Sequence, residues 1–513
     1  MLSVMSTTLA TAVALPALAA VPAFTLGRRS PRMIGRIGAI AAGLGFLGAV
    51  VLGIGAGLGQ VSALTIGGAG LAVDRLAAVL LLLIFGVSAV VQVFALRYLH
   101  GDPRAAWFTG GAGLLTSASA GLATASTLIV LAICWTLAGI ALCLLLGTYW
   151  HLPDARDGVR RAATAFLIGD LAMWIAVGLA TAAWGRVELR GIDTGRFNGP
   201  ILPVVACLVV LAALSRSAQI PFHRWLPATL AAPTPVSALL HAGVVNAGGI
   251  LLIRLSMLAT DDLARGLTIL AGAATMVYGA VIMLVKPDIK GALAHSTAAQ
   301  MGFMILTCGL GLWAAAVIHL VAHGFYKATL FLSSGSAVAR YRRQEALPPP
   351  DPGPARRHRW AHIAVAVGLP TVALAVGIAV VPIPAGDHAA EQALLIFAWM
   401  TGAAVTWGWF KRRDGLAGAA TAAGFLIPAA VGYVGIIGAV SRYLTPALPP
   451  PGLSATTVWM ITAAALGLLG SLAALRRAPG AEKFRRTLYA HALSAGHTPA
   501  ARPPASELLA GAR

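Results

Sequence analysis

His319, His323 and Lys327 recur at i, i+4 and i+8 in the stretch His319-Leu-Val-Ala-His323-Gly-Phe-Tyr-Lys327-Ala-Thr-Leu-Phe-Leu-Ser-Ser-Gly335. At 3.6 residues per turn, the three side chains lie along one helix face. Apolar residues on both sides of Lys327 place it inside a membrane span, where an ammonium costs roughly 3 kcal/mol. Such a group needs a partner, a water-filled cavity or a proton-carrying role. Imidazoles titrate near pH ~6.5 and suit a relay beside it. Lys327 is therefore read as a translocation residue, with His319 and His323 as relays. The alternative for the pair is neutral histidines hydrogen-bonded to nearby carbonyls.

Four more ionisable residues belong to this reading. Asp170, after Gly169 and between apolar residues, has no ordinary packing role. Its alternative is a carboxylate near a span end, solvated through a water cavity. Arg216 closes an apolar run and precedes Ser217-Ala-Gln219-Ile-Pro221-Phe-His223-Arg224-Trp225-Leu-Pro227. His241 follows Ala232-Pro233-Thr234-Pro235-Val-Ser237-Ala-Leu-Leu and precedes Ala-Gly243-Val-Val-Asn246-Ala-Gly248-Gly249; a structural helix-break role is its alternative. Lys290, in Lys286-Pro287-Asp288-Ile-Lys290, stands at a span edge, where a snorkelling lysine looks the same. His223, His295 and Arg254 read as structural or interfacial. The prolines at 221, 227, 233 and 235 break or bound helix, and irregular backbone at membrane depth is tolerated only beside protein or water. Ser333-Ser334-Gly335, just past Lys327, offers a second place to unwind.

The elements that must position these residues are membrane helices. Of 513 residues, 58% are hydrophobic and 11% charged, which excludes an ordinary soluble composition. Fifteen apolar windows recur, each long enough to cross a core about 30 Å thick: 2–24, 36–59, 74–96, 108–123, 125–149, 162–184, 200–215, 235–257, 265–285, 292–309, 312–338, 361–383, 391–410, 416–439 and 455–475. Residues 1–24 lack a basic leader and read as a first span rather than a signal peptide. With the N-terminus outside, 29 of the 37 Lys and Arg fall in inside loops and 6 in outside ones. That bias puts the C-terminus in the cytoplasm and explains the net charge of +20 without nucleic acid. Cys134, Cys143, Cys207 and Cys308 lie in apolar spans with no metal-site spacing and read as small buried hydrophobes. Gly53-Ile-Gly55-Ala-Gly57-Leu-Gly59 sits at a span end, so helix packing is preferred to a dinucleotide loop. Asp74-Arg75 reads as an interfacial pair, and the basic tail 476–513 as lying on anionic lipid or a partner.

The words Ser-Ala-Gln-Ile-Pro-Phe-His-x-Trp-Leu-Pro, Ala-Pro-Thr-Pro-Val-Ser-Ala-Leu-Leu-His-Ala, Asp-Ile-Lys-x-x-Leu-Ala-x-Ser-Thr-x-x-Gln-Met-Gly and His-x-x-x-His-x-x-x-Lys-Ala-x-Leu-Phe-Leu-x-Ser-Gly-Ser occupy 215–254 and 286–335. There the chain resembles the proton-conducting membrane subunits of respiratory complex I and multisubunit cation/proton antiporters. The resemblance implies an all-α polytopic membrane protein of about 13–15 transmembrane helices, with two inverted repeats that carry broken helices. It divides the chain into N-terminal helices (1–123), a first antiporter-like repeat (124–258), a second (259–410) with a cytoplasmic linker at 340–360, C-terminal helices (411–475) and a basic cytoplasmic tail (476–513). Lys327, His319 and His323 then belong to the second channel half. Arg216 stands where the first-half Lys is expected. His241 and Lys290 lie on the axis between them, and Asp170 matches a family Asp.

Two positions depart from the pattern. Trp135-Thr136 stands where members usually carry Trp-Glu, and Arg216 replaces Lys. A guanidinium is not deprotonated in proteins, so the first half is expected to hold a fixed charge, with Asp170 as its counter-ion. His241-Ala-Gly-Val-Val-Asn246-Ala-Gly-Gly, the missing Glu and Arg97-Tyr-Leu-His-Gly-Asp102-Pro look most like the membrane subunit of the DAB inorganic-carbon accumulation complexes. That resemblance implies a multi-pass protein of the bacterial cytoplasmic membrane, not itself an enzyme and without a cofactor of its own. Its partner would be a large zinc-containing, carbonic-anhydrase-like subunit, whose hydration of CO2 is driven by proton or Na⁺ flow through this chain. A subunit of a quinone-linked redox pump and a cation/proton antiporter subunit are the alternatives.

Overall fold

The computed structural model describes residues 4–496 apart from 28, 67–68, 190–196, 198, 257–260, 346–358, 382–388, 411–414, 450–451, 478–479 and 481. Arg190, Arg196, the proline-rich part of the 340–360 linker and residues 497–513 of the tail lie outside the described residues. Helices dominate. In chain order they are α1 (Val4–Thr25), α2 (Pro31–Gly57), α3 (Arg75–Tyr98), α4 (Ala105–Thr124), α5 (Leu128–Leu146), α6 (Pro153–Trp184), α7 (Leu202–Arg216), α8 (Thr234–Ala242), α9 (Ala247–Arg254), α10 (Asp262–Val285), α11 (Ile289–Gly309), α12 (Trp313–Glu345), α13 (Arg359–Val380), α14 (Ala389–Phe410), α15 (Gly415–Leu444), α16 (Ala455–Arg477) and α17 (Glu482–Ala495). Chain contacts divide them into two compact units. One holds 1–311, 319–338 and 482–513; the other holds 312–318 and 339–481.

The fifteen expected windows each coincide with a helix, α8 and α9 sharing one. Among the described residues, ten spans are long and apolar enough to cross a membrane by length and composition. Three helices outside that set, α4, α7 and α11, fall short for physical reasons. α7 has only 15 residues. α4 is rich in Gly, Ser and Thr, yet most of its residues are buried by protein. α11 carries His295, Ser296, Thr297 and Gln300 on an otherwise apolar helix. Helices enclosed by other helices need not be apolar all round.

Local chemistry explains the boundaries. Thr127 accepts a hydrogen bond from Val130 N at the start of α5, Asp261 from Ala264 N at α10, and Asp288 from Gly291 N at α11; these are N-caps. α10 and α11 approach closely because Gly272 and Gly279 face Gly302 and the backbone around Ala299, where a Cβ would meet main-chain atoms. Small residues let membrane helices pack at this distance. Between α2 and α3 the chain forms an antiparallel hairpin, β1 (Ser62–Ile66) and β2 (Ala69–Val73). Single bridges Leu71–Ala125 and Thr127–Glu188 extend it across the start of α5.

Two expectations are corrected. Ser333-Ser334-Gly335 does not unwind: α12 runs through it, and both serine hydroxyls donate to carbonyls three residues back. Asp74 and Arg75 do not pair. Asp74 caps α3 at Ala77 N and holds Arg254 at 2.9 Å, whereas Arg75 donates to the carbonyls of Ala56 and Gly57 that end α2.

Candidate ion-translocation site

The irregular backbone falls where the prolines put it. α7 ends at Arg216, a 3-10 turn spans His223–Thr229, and α8 begins at Thr234. Trp225 fixes the corner: its Nε1 donates to Ser215 O at 2.9 Å and its ring meets Phe166 edge to face. A second break follows at once. Gly243 and a 3-10 turn over Val244–Asn246 separate α8 from α9. The last carbonyls of α8 are thereby free of intrahelical partners, and side chains take them. Asn246 Nδ2 donates to Ala242 O at 2.8 Å, and His323 Nε2 of α12 donates to His241 O at 3.1 Å.

The expected Arg216–Asp170 pair is present. Arg216 Nη2 donates to Asp170 Oδ1 at 2.7 Å, and Nη1 to Trp135 O at 3.1 Å. The guanidinium is wholly buried between the rings of Trp135 and Phe166, 4.5 and 4.4 Å from their centroids. Two glycines make room for it. A Cβ at Gly139 would press on the guanidinium, and one at Gly169 would collide with Ser215, which keeps α6 close enough to α7 for Asp170 to reach. Thr136, at the position of the expected Glu, accepts from Trp174 Nε1 at 3.1 Å instead. This half is an immobilised, neutralised charge.

Lys327 is also wholly buried, but its surroundings differ. Its Nζ donates to Ser296 Oγ of α11 at 2.9 Å, and no carboxylate pairs with it among the described residues. The next residue of α11, Thr297, meets His241 Nδ1 at 3.1 Å, and Gln300 meets His323 Nδ1 at 2.7 Å. One face of α11 thus touches an ionisable group on α8 and two on α12. Phe331, one turn beyond Lys327, stacks on the His241 ring at 4.2 Å. His319 lies 5.8 Å from His323 between ring centroids, with Phe303 against it, and its Nε2 is buried without a partner.

Thr297 Oγ1 lies 2.9 Å from Leu293 O and 3.1 Å from His241 Nδ1. His323 Nε2 faces a carbonyl and must donate. Its Nδ1 faces the Gln300 amide, which presents oxygen to a protonated nitrogen and its NH2 group to a bare one. A cavity of about 50 Å³ bounded by Ser88, Thr116, Ser119, Gly243 and Asn246 adjoins the α8–α9 break. It has room for water, and the buried Asn246 Oδ1 has no protein partner.

The structure brings Lys327, His323 and His241 together through α11, and Arg216 with Asp170. Lys290 is not joined to either set: its Nζ reaches Leu230 O and Ala232 O at 3.5 and 3.3 Å, tying α11 to the end of the irregular segment. His223 edges Tyr278 and His295 bonds the carbonyl of Gly291. Ser296, Thr297 and Gln300 are the residues missed as site members. Their signal was visible: three polar side chains at i, i+1 and i+4 in an apolar helix.

Comparison with known proteins agrees with this architecture. Residues 125–347 match the family described as NADH:quinone oxidoreductase/Mrp antiporter, TM, and residues 64–109 match NADH-ubiquinone oxidoreductase (complex I), chain 5 N-terminus. The chain belongs to the antiporter-like membrane subunits shared by complex I and the Mrp antiporters. It is DabB-like within that superfamily. The probable inorganic carbon transporter subunit DabB1 of Halothiobacillus neapolitanus is 33% identical over 354 residues, covering 65% of this chain and 63% of that one. The corresponding DabB of Bacillus subtilis is 37% identical over 278 residues, covering 52% and 54%. NADH-quinone oxidoreductase subunit L of Mycobacterium tuberculosis is 35% identical over 278 residues, covering 52% and 43%. The match thus spans less than two thirds of the length of these relatives. The Mrp complex from Dietzia sp. shares the fold with a TM-score of 0.58 at 23% identity, over 92% of this chain and 60% of that one. So does the membrane-bound sulfane sulfur reductase, an archaeal respiratory membrane complex, with 0.60 at 18% over 95% and 96%.

Proposed function

We propose that this chain conducts protons, or Na⁺, as the membrane subunit of a two-component inorganic-carbon transporter in a bacterial cytoplasmic membrane, with its N-terminus outside and its C-terminus inside. The observation that carries the reading is Lys327: a buried ammonium whose bonding partner is a neutral hydroxyl, one turn from a histidine. A charge held for structure alone would have a counter-ion, as Arg216 has. A proton leaving Lys327 finds the Ser296 hydroxyl first; the adjacent Thr297 leads to His241, and Gln300 to His323. Water in the cavity at the α8–α9 break supplies the remaining hops. The Arg216–Asp170 half contributes a fixed field and no proton exchange.

DabB proteins named as inorganic carbon transporter subunits support the carbon reading. The partner we propose is a large zinc-containing subunit of carbonic-anhydrase type, in which cation flow drives one-way hydration of CO2. Zinc would supply a bound hydroxide there; this chain would supply the energy. The relatives from complex I favour a second reading, a proton pump attached to a quinone-reducing module.

Two experiments separate these. Purified protein in vesicles with an internal pH dye tests conduction: Lys327→Ala should abolish the flux, and an unchanged flux refutes the role. Pull-down from native membranes in gentle detergent, with metal analysis, tests the partner. One large zinc protein supports the carbon reading, and flavin or iron–sulfur proteins overturn it in favour of the redox one.

A further inference from the structure

Phe331 continues the four-residue spacing of His319, His323 and Lys327 along α12, so it lies on the same helix face, one turn past the lysine. It is wholly buried, and its ring lies flat on the imidazole of His241: the centroids are 4.2 Å apart and the planes 15° from parallel. His323, two turns earlier, bonds the carbonyl of the same residue. Two residues of α12, one on either side of Lys327, therefore hold His241: His323 by its main chain and Phe331 by its ring. The close approach has a local cause. Gly324 faces the end of α8, and a Cβ there would lie 3.0 Å from Ala242 O.

The manner of holding bears on chemistry. An imidazole relays a proton by taking one on one nitrogen and giving one from the other, so a relay has to be fixed without both nitrogens being spent. Both point outward in the ring plane. Hydrogen bonds fix His323, but they occupy Nδ1 with Gln300 and Nε2 with His241 O. Phe303 and His319 meet with their planes 60° apart. At His241 a phenyl ring covers the face instead, and Thr297 bonds the edge at Nδ1, 3.1 Å away. Among the described residues Nε2 takes no hydrogen bond. One face contact and one edge contact fix the tilt and the rotation of the ring and leave its second nitrogen available.

We propose that Phe331 is a positioning residue: it holds the His241 imidazole with Nδ1 against Thr297, so that a proton crosses between α11 and α8 through a ring of fixed orientation. This rests on the conduction reading and adds to it a residue that carries no proton of its own. Stacking of two rings favours one orientation by a several-fold to about tenfold factor, and a relay group held out of line slows transfer by up to roughly a hundredfold.

The full chain is reconstituted in vesicles with an internal pH dye, and in a parallel sample its histidines are labelled with ¹³C and ¹⁵N for NMR. The His241 signal is identified by its absence from His241→Gln, and in wild type the ring current of Phe331 displaces it. Phe331→Leu should move that signal and lower proton flux about tenfold. Phe331→Tyr keeps the ring and should hold flux within about twofold of wild type. Phe331→Leu/Thr297→Val should lose less flux than the product of the two single losses, because both residues act on one imidazole. If Phe331→Leu fails to fold, Phe331→Met replaces it, filling the space without a ring. An unmoved His241 signal, single losses that multiply, or a Phe331→Tyr flux as low as that of Phe331→Leu overturns the proposal. Wild-type vesicles that conduct no protons sink the conduction reading itself, whereas a conducting wild type equalled by Phe331→Leu overturns the positioning role alone.

Discussion

Two wholly buried cations, Arg216 and Lys327, are held in opposite ways. Arg216 has an aspartate at 2.7 Å, a carbonyl, and an aromatic ring on either side. Lys327 has a serine hydroxyl. The first arrangement suits a fixed charge; the second suits the proton exchange proposed above. In a low-dielectric setting the difference is large, because an unpaired buried ion is costly while a hydrogen-bonded pair recovers much of that cost. One charge sits in an ion pair, and the other has no carboxylate partner among the described residues.

The comparison can be broken most sharply at Lys327. Lys327→Arg keeps the charge and removes the exchangeable proton, so vesicle proton flux should fall roughly hundredfold or more, as with Lys327→Ala. Wild-type flux in Lys327→Arg would mean that charge alone matters. At the other cation the effect should appear in stability. Asp170→Ala strands a buried guanidinium and should cost about 3–5 kcal/mol in denaturant unfolding, whereas Arg216→Leu/Asp170→Leu together should cost far less. If the single and double changes are equally damaging, the pair is not a unit.

Smaller effects sharpen the account of α11. Gln300→Leu leaves His323 Nδ1 without a partner in either charge state and should slow flux about tenfold, with the melting temperature little changed. Thr297→Val removes one hydrogen bond to His241 and should cost about 1 kcal/mol of stability with a several-fold loss of flux. Lys290→Ala should do least. It removes two long hydrogen bonds to carbonyls and should lower stability by under about 1 kcal/mol while flux persists. A Lys290→Ala flux as low as that of Lys327→Ala would restore Lys290 to the conducting axis.

Much of this was legible in the sequence, and for reasons that can be named. The Arg216–Asp170 pair followed from charge accounting: a guanidinium cannot neutralise itself, and with Thr136 replacing the expected Glu, one buried acid remained. The break before α8 followed from its prolines. The break after His241 was only half visible, because Gly243 and Asn246 are tolerated inside helices and only tertiary contacts decide whether the turn tightens. The reverse error occurred at Ser333-Ser334-Gly335, where serines bonded to their own helix cost little helicity. The polar spacing of Ser296, Thr297 and Gln300 does not reveal their partners, because a hydrogen bond between helices depends on rotation about the helix axis. The bond between Asp74 and Arg254 spans 180 residues, and no local pattern announces it.

The carbonyl of His241 links a side-chain charge to a main-chain position. It belongs to a broken helix end, and it accepts from the imidazole of His323. In the conduction proposed above, a charge on that imidazole would strengthen the bond and load the end of α8. An uninterrupted helix, with its carbonyls already committed, would offer no such attachment.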